Sequence, residues 1–229
     1  MRKTIALAAT AAAAIAFSHP AMADENAGSW QVKVLGTAVL PDGELDKVKF
    51  AAPSVAAALP ANVETKADDN FVPTLAIEYF FTPNVSIETI CCVTQHDVDG
   101  KGALAGARLV SNAKIIPATF TAKYHFNAGG IKPYVGAGPT YFIFFDEKAG
   151  ATAQALGATK AKVDNAFGFA LQAGIDIPVN DSRLGISLDA KRYFLSVDAK
   201  WHDANGAKVL ETKHNLDPWV LSAGLAFRF

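Results

Sequence analysis

The chain has 229 residues, and its 21 lysines and arginines against 22 aspartates and glutamates give a formal net charge of −1. The basic residues are dispersed rather than gathered into a stripe, which excludes a nucleic-acid-binding surface. Beyond residue 23 the chain has no run of about 18 apolar residues, which excludes a membrane protein built from helices.

Residues 1–23 have the organisation of a secretory signal peptide. Arg2 and Lys3 precede an apolar run over 4–17, and small residues follow at 21–23, which is the order of such signals. An uncleaved anchor is the alternative, but the run is shorter than the roughly 20 residues of a membrane-spanning helix. We predict cleavage between Ala23 and Asp24, which leaves one domain over 24–229.

Eight segments of the mature chain are predicted to be β-strands, and seven of them alternate apolar and polar side chains, the primary signal of a strand. They cover residues 29–40, 72–80, 85–93, 117–126, 132–145, 166–178, 183–194 and 217–229. The segment 132–145 is apolar on both faces, so the sequence leaves its orientation open.

The connections between these strands alternate in length. Those at 81–84, 127–131 and 179–182 are short, whereas those at 41–71, 94–116, 146–165 and 195–216 are long. Short turns at one end and long loops at the other are typical of bacterial outer-membrane barrels. We therefore predict an all-β fold: an eight-stranded antiparallel transmembrane up-and-down barrel with short periplasmic turns and long extracellular loops.

This topology assigns the aromatic residues to two belts, as anchoring at the membrane interfaces requires. A β-sandwich or lipocalin-like barrel that does not span a membrane is the alternative, in which the aromatics would be scattered. The short-turn belt contains Trp30, Tyr79, Phe80, Tyr124, Phe126, Tyr134, Phe227 and Phe229. The long-loop belt contains Phe142, Phe144, Phe145, Phe167, Phe169, Phe194 and Trp219.

The polar faces of the strands predict a plug inside the barrel. An eight-stranded barrel is just wide enough for its own side chains, and charges of both signs there pair across the lumen. Ion conduction through so narrow a barrel is the alternative. The predicted plug residues are Glu78, Glu88, Lys123, His125, Gln172, Asp176, Asp189, Lys191 and Arg228.

The first long loop is unusually apolar over residues 51–61. We predict that Val55 and Leu59 form part of a gate for apolar molecules at the barrel mouth. The alternative is that this segment packs against the barrel rim.

No cofactor, metal site or disulfide is predicted. The two cysteines, Cys91 and Cys92, are adjacent, so a bond between them would be strained, and they lack the spacing of a zinc site. A lipid-modifying enzyme needs a serine near a histidine, but His96, His202 and His214 lie in loops without an evident serine partner. We therefore expect no enzymatic activity.

From residue 82 to the end, the chain resembles the OmpW family of outer-membrane proteins. The motifs that carry the resemblance are, in order, Phe80-Phe81-Thr82-Pro83-Asn84, His96-Asp97, Pro117, Tyr124-His125-Phe126, Lys132-Pro133-Tyr134-Val135-Gly136-Ala137-Gly138 with Tyr141, Asp189, Lys191-Arg192-Tyr193, Asp217-Pro218-Trp219 and Gly224-Leu225-Ala226-Phe227-Arg228-Phe229. Two features depart from the family pattern: a single proline at 117 where the family has a pair, and the alanine-rich first loop.

The resemblance implies a monomeric barrel in the outer membrane of a Gram-negative bacterium that contacts outer-membrane lipid. It also implies a narrow conduit that admits small hydrophobic molecules from outside and releases them sideways into the membrane. Phe227 and Phe229 would belong to the signal read by the outer-membrane assembly machinery. An envelope-stabilising or surface-binding protein acting through its extracellular loops is the alternative function.

Overall fold

Strands account for most of the computed structural model, which describes residues 27–60, 62–179 and 183–229. In chain order they are β1 (Trp30–Leu40), β2 (Glu44–Ala51), β3 (Glu64–Ala67), β4 (Asn70–Phe80), β5 (Val85–Cys91), β6 (Thr94–Lys101), β7 (Arg108–His125), β8 (Lys132–Phe145), β9 (Lys148–Ala149), β10 (Lys160–Val163), β11 (Ala166–Pro178), β12 (Leu184–Phe194), β13 (Ser196–His202), β14 (Lys208–Asn215) and β15 (Trp219–Arg228). Two short helices, α1 (Pro53–Ala58) and α2 (Ala151–Ala155), and a 3-10 turn at Gly102–Leu104 lie between them. Within the described ranges, no helix is both long and apolar enough to cross a membrane.

Eight of these strands form a closed antiparallel barrel. Around the ring the order is β1, β4, β5, β7, β8, β11, β12 and β15, and β15 pairs with β1 again. Beside this seam the Trp30 N–H donates to the Phe229 carbonyl at 2.8 Å, and the Phe229 N–H donates to the Trp30 carbonyl at 2.9 Å. A closed ring leaves no free edge, so the backbone groups of its strands can be satisfied in lipid. The predicted fold class is confirmed.

The side chains of each barrel strand alternate between the interior and the outer wall. In β1, Gln31, Lys33 and Leu35 are buried inside the ring, whereas Trp30 and Val34 are exposed outside it. The exposed side chains of the other barrel strands are mainly valine, leucine, isoleucine and aromatic residues. This wall is apolar where it faces lipid, as a membrane-spanning barrel requires.

The predicted strand bounds agree with the structure in the ring but not beyond it. The segments 132–145 and 166–178 coincide with β8 and β11. The fourth predicted strand begins at Pro117, whereas β7 begins at Arg108. The added residues pair with β6, where two register shifts and a left-handed Asn112 (φ 58°) interrupt the alternation. An interrupted alternation gives no strand signal in the sequence.

The structure decides the orientation of β8 and corrects the predicted aromatic belts. Tyr134 and Phe142 point into the ring and are buried, and Phe144 is partly buried against the interior. Phe80 is also inside, where the Arg228 guanidinium lies 4.2 Å from the centre of its ring. The belts are therefore wrong for these four residues, because the even-numbered side chains of β8 and the last side chain of β4 face the lumen.

The long connections fold into an ordered extension above the ring instead of irregular loops. A second sheet has the strand order β10, β13, β14, β2, while β3 pairs with β6 and β6 pairs with the first part of β7. The inward side of β13 carries Val197, Ala199 and Trp201, all buried. The apolar interior of the barrel thus continues beyond the ring.

Some predictions fall on residues outside the described ranges. These are the signal peptide over 1–23, the cleavage site between Ala23 and Asp24, and most of the short turn at 179–182. The signal peptide and its cleavage stay predictions.

Candidate functional site

The half of the lumen near the short turns is filled with polar side chains. All nine predicted plug residues lie on its interior face, and eight of them are buried. The ninth, Arg228, donates from Nε to the Gln31 Oε1 at 2.9 Å, and Gln31 in turn donates to Asp176 at 3.1 Å. The residues that the sequence scatters over six strands are therefore connected in one network.

Glu88 lies at the centre of this network. Its carboxylate accepts from Lys123 at 2.9 Å, lies 3.2 Å from Lys33 Nζ and 3.1 Å from Lys191 Nζ, and also accepts from Gln172 at 2.9 Å. A buried charge that lacks partners is strongly destabilising, and Glu88 is a carboxylate that all three ammonium groups share.

Glu78, Ser86 and His125 are the three residue types of a hydrolase triad, but they are not in a catalytic arrangement. His125 Nε2 lies 2.9 Å from both Ser86 Oγ and Glu78 Oε1, and Ser86 donates to Glu78 at 2.5 Å. A catalytic triad needs the serine on one ring nitrogen and the carboxylate on the other, whereas His125 Nδ1 has no partner. All three side chains are buried, so a lipid substrate has no access to the serine.

Sequence reasoning missed several members of the network, among them Gln31, which links Arg228 to Asp176, and also Lys33 and Tyr134. Lys33 Nζ lies 3.0 Å from Glu78 and 3.4 Å from Asp176. The signal was present, because the alternation of β1 places Lys33 on the polar face. Tyr134 donates to Asp189 at 2.7 Å and has Lys123 Nζ 3.7 Å from its ring centre. It was missed because the sequence left the orientation of its strand open.

The half of the lumen near the long loops contains an apolar cavity of about 70 Å³. Its wall is nearly all hydrocarbon, and the extension above the ring supplies part of it. The residues that line it include Leu35, Val39, Pro41, Ala67, Ile90, Cys92, Val98, Val110, Ile115, Pro117, Phe142, Phe144, Tyr193, Val197, Trp201, Leu216 and Val220. Lys191 lies at its floor, where the polar network begins.

The candidate gate residues Val55 and Leu59 lie away from this cavity. Val55 is in α1 and is 3% exposed, and the Leu59 N–H caps the helix by donating to the Val55 carbonyl at 3.0 Å. Leu59 borders a shallow crevice between α1 and β2. The first loop reaches the cavity instead through Pro41, Gly43 and Ala67, and the gate role of Val55 and Leu59 stays a prediction.

The barrel wall has a gap in its hydrogen-bond ladder beside the cavity. β5 pairs with β7 up to Thr89 and Phe120, and pairing resumes between Thr94 of β6 and Ile115. Among the described ladder pairs none joins 90–93 to 116–119. Both ladders continue in one register, which puts Cys92 opposite Pro117, and a proline has no N–H to donate. Ile90, Cys92 and Pro117 also line the cavity, so this unpaired part of the wall borders it.

Two buried histidines border the outer part of the cavity. His214 Nδ1 donates to Thr65 Oγ at 3.2 Å, because that hydroxyl is already committed to the Gly43 carbonyl at 2.7 Å, and Thr212 lies 2.7 Å from His214 Nε2. Burial lowers the pKa of His214 to about 4 and also lowers the pKa of His96. Both rings are therefore neutral at pH 7, consistent with the apolar cavity that they line.

Titratable side chains elsewhere do not assemble into a metal site within the described ranges, where no cluster of three or more histidine, cysteine, aspartate or glutamate residues could hold an ion.

Comparison with known proteins identifies the family. The OmpW family model matches residues 26–229. The chain belongs to the OmpW family. It is 34% identical to the uncharacterised outer-membrane protein y4mB of Sinorhizobium fredii, with 100% of this chain and 96% of that protein covered. It is 28% identical to outer membrane protein W of Vibrio cholerae, with 100% of both covered.

Solved structures agree with the family assignment. The crystal structure of the outer membrane protein OprG from Pseudomonas aeruginosa superimposes with a TM-score of 0.74 at 25% identity, covering 90% of this chain and 97% of OprG. The protein is therefore located in the outer membrane of a Gram-negative bacterium, with its short turns in the periplasm, its long loops outside the cell and its apolar wall in contact with lipid.

Proposed function

We propose that the protein is a conduit for small hydrophobic molecules, which enter the cavity from outside the cell and leave sideways into the outer membrane. The observation that carries this proposal is the division of the lumen into an apolar cavity above a polar network. An apolar solute gains about 25 cal/mol for each Å² of its surface removed from water, so the cavity favours its entry.

The polar network acts as a plug in this proposal. An apolar molecule that moved on toward the periplasm would have to separate buried charge pairs such as Lys123 and Glu78, which are 2.9 Å apart. Leaving such a charge without a partner costs about 3–5 kcal/mol. Exit along the barrel axis is therefore disfavoured, and the molecule needs a route through the wall.

The gap in the wall supplies that route. Ile90, Cys92 and Pro117 line both the cavity and the gap, and on the lipid side Val93 and Phe120 are exposed. Separating strands costs less where no ladder hydrogen bonds have to break. A solute in the cavity can therefore pass between β7 and the segment that joins β5 to β6 without crossing a polar layer.

A reversible crosslink tests the lateral route. Pro117→Cys gives Cys92 a partner in the gap, with Cys91→Ser added to prevent a competing bond. Directly opposed residues of antiparallel strands have Cα atoms about 4.5–5.5 Å apart, which suits a disulfide. We expect oxidation to slow the uptake of the hydrophobic dye N-phenylnaphthylamine by cells that carry the variant, and reductant to restore it.

The same cells provide the controls. Cys91→Ser alone should respond to neither oxidant nor reductant. Equal uptake by the crosslinked and reduced protein, with the bond verified by mass, contradicts lateral release. If deletion of the gene leaves uptake unchanged and the purified protein binds no hydrophobic compound, the conduit is dropped. Loop exchange would then test the surface-binding alternative.

A further inference from the structure

Two hydroxyl groups at the apolar cavity lack hydrogen-bond partners. Tyr193 is 1% exposed and Thr74 is 5% exposed, and neither Tyr193 OH nor Thr74 Oγ1 makes a hydrogen bond. Thr119 lies near Tyr193 and Cys92 lies near Thr74, but neither approach has hydrogen-bond geometry. Burying a hydroxyl without a partner costs about 1–3 kcal/mol of folding stability. Native proteins normally pair such groups, so both hydroxyls are unusual.

The two hydroxyls belong to residues that line the same cavity. Thr74 is on β4 and Tyr193 is on β12, and both side chains line the cavity wall. Lys191 also lines the cavity, at its floor. The wall farther out is hydrocarbon, up to Trp201 in the extension above the ring. The cavity is therefore amphipathic, with polar groups at its inner end.

The charges around this inner end favour a neutral ligand. Lys191 Nζ is already held between Glu88 at 3.1 Å and Asp189 at 2.7 Å. The network below contains four cationic and four anionic side chains, which are Lys33, Lys123, Lys191 and Arg228 against Glu78, Glu88, Asp176 and Asp189. A carboxylate in the cavity would add an unbalanced charge in apolar surroundings, which is strongly unfavourable. A neutral oxygen has no such penalty, and it can accept from either hydroxyl.

We propose that the inner end of the cavity is a head-group site for neutral oxygenated alkyl compounds, such as ketones and alcohols, with Tyr193 and Thr74 as the residues that select the oxygen. The alkyl chain lies in the outer, hydrocarbon part of the cavity. This inference rests on the proposed conduit, whose substrate class it narrows from apolar molecules in general to apolar molecules that end in a neutral oxygen.

A fluorescence competition experiment tests the proposal in lipid nanodiscs. Trp30→Phe and Trp219→Phe remove the two lipid-facing tryptophans and leave Trp201, which lines the cavity, as the reporter. Decyl bromide quenches it from within the cavity. Decane, methyl octyl ketone and decanoate then compete, each at equal concentration in the lipid phase. We expect the ketone to displace the quencher better than decane, and decanoate to be weakest at neutral pH.

Single substitutions test whether Tyr193 and Thr74 bind the ligand oxygen. Tyr193→Phe should weaken the ketone about 2- to 13-fold, the equivalent of one neutral hydrogen bond, and leave decane unchanged. Thr74→Val should act in the same direction. Tyr141→Phe is the matched control, because Tyr141 is 43% exposed on the lipid side, and it should change neither ligand. Because burying an unpaired hydroxyl costs free energy, Tyr193→Phe should also raise the urea midpoint of the parent protein, or at least not lower it.

The outcomes separate this proposal from the conduit. An unchanged ratio of ketone to decane affinity in both Tyr193→Phe and Thr74→Val overturns the head-group site, while displacement by decane would leave the conduit standing. A lower urea midpoint for Tyr193→Phe contradicts the premise that its hydroxyl is unpaired. If none of the three compounds displaces decyl bromide, both the head-group site and the conduit are wrong.

Discussion

Glu88→Gln is the sharpest perturbation of the polar network. The substitution keeps the shape of the side chain but removes the charge that faces Lys33, Lys123 and Lys191 at 2.9–3.2 Å. The four cations of the lumen then face three anions. Breaking a buried ion pair by neutralising one partner costs about 3–5 kcal/mol, and we expect a loss of this size in the free energy of unfolding.

Urea unfolding in lipid vesicles measures this loss, because the folded barrel can be followed by tryptophan fluorescence. Glu211→Gln is the matched control. Glu211 is in the extension above the ring, where it pairs with Lys208 and lies 3.9 Å from Lys49. Its partner Lys208 is exposed, and ion pairs that are open to solvent contribute about 0–1 kcal/mol, so this variant should unfold near the parent midpoint. Equal midpoints for Glu88→Gln and Glu211→Gln would refute the reasoning.

A double variant separates the loss of charge balance from the loss of packing. Lys123→Met together with Glu88→Gln restores equal numbers of positive and negative charges, and Glu78 keeps Lys33 at 3.0 Å. We expect the double variant to be more stable than Glu88→Gln alone. Strictly additive effects of the two substitutions would show that the charges do not interact, since contacting residues normally show coupling.

Three further predictions concern other parts of the barrel. Gly174→Ala should destabilise the protein by about 1–3 kcal/mol in the same urea experiment, because the new Cβ would lie 2.4 Å from the Tyr134 ring; an unchanged midpoint would contradict this packing. His214 binds a proton less readily when folded, with a pKa of about 4 against 6.5, so its contribution of about 3 kcal/mol is complete above pH 6.5 and is lost as the pH falls toward 4. The protection factors of the β14 amides, which correct for the slower intrinsic exchange at low pH, should fall over this range, and His214→Gln should remove this pH step. Phe229→Ala should reduce the amount of folded barrel in the outer membrane, as judged by migration of unheated samples on gels, if the terminal aromatic is read by the assembly machinery.

The extension above the ring could have been recognised in part from the sequence. Val197, Ala199 and Trp201 alternate with polar residues over the length of β13, which is an ordinary strand signal. The alternation in length of the connections predicts loops there, which hides this strand signal. β6 carries no comparable signal, since its pairing with β7 shifts register twice.

The sequence by itself determined the membrane-spanning ring. Alternation of side chains identified seven of the eight strands, and the lengths of the connections assigned their ends. The same alternation put Glu78, Glu88 and Lys123 inside, because a strand in a lipid-facing wall has no freedom to exchange its two faces. These features depend on local periodicity, which a sequence shows directly.

Only the tertiary structure decided what the interior contains at each level. β8 is apolar on both faces, so the inward direction of Tyr134 and Phe142 follows from its pairing with β7 and β11. The apolar cavity, the gap beside Pro117 and the unpartnered hydroxyls of Thr74 and Tyr193 each depend on the relative positions of residues from different strands. Register and barrel closure set these positions. Both involve several strands at once, so no single segment of the sequence shows them.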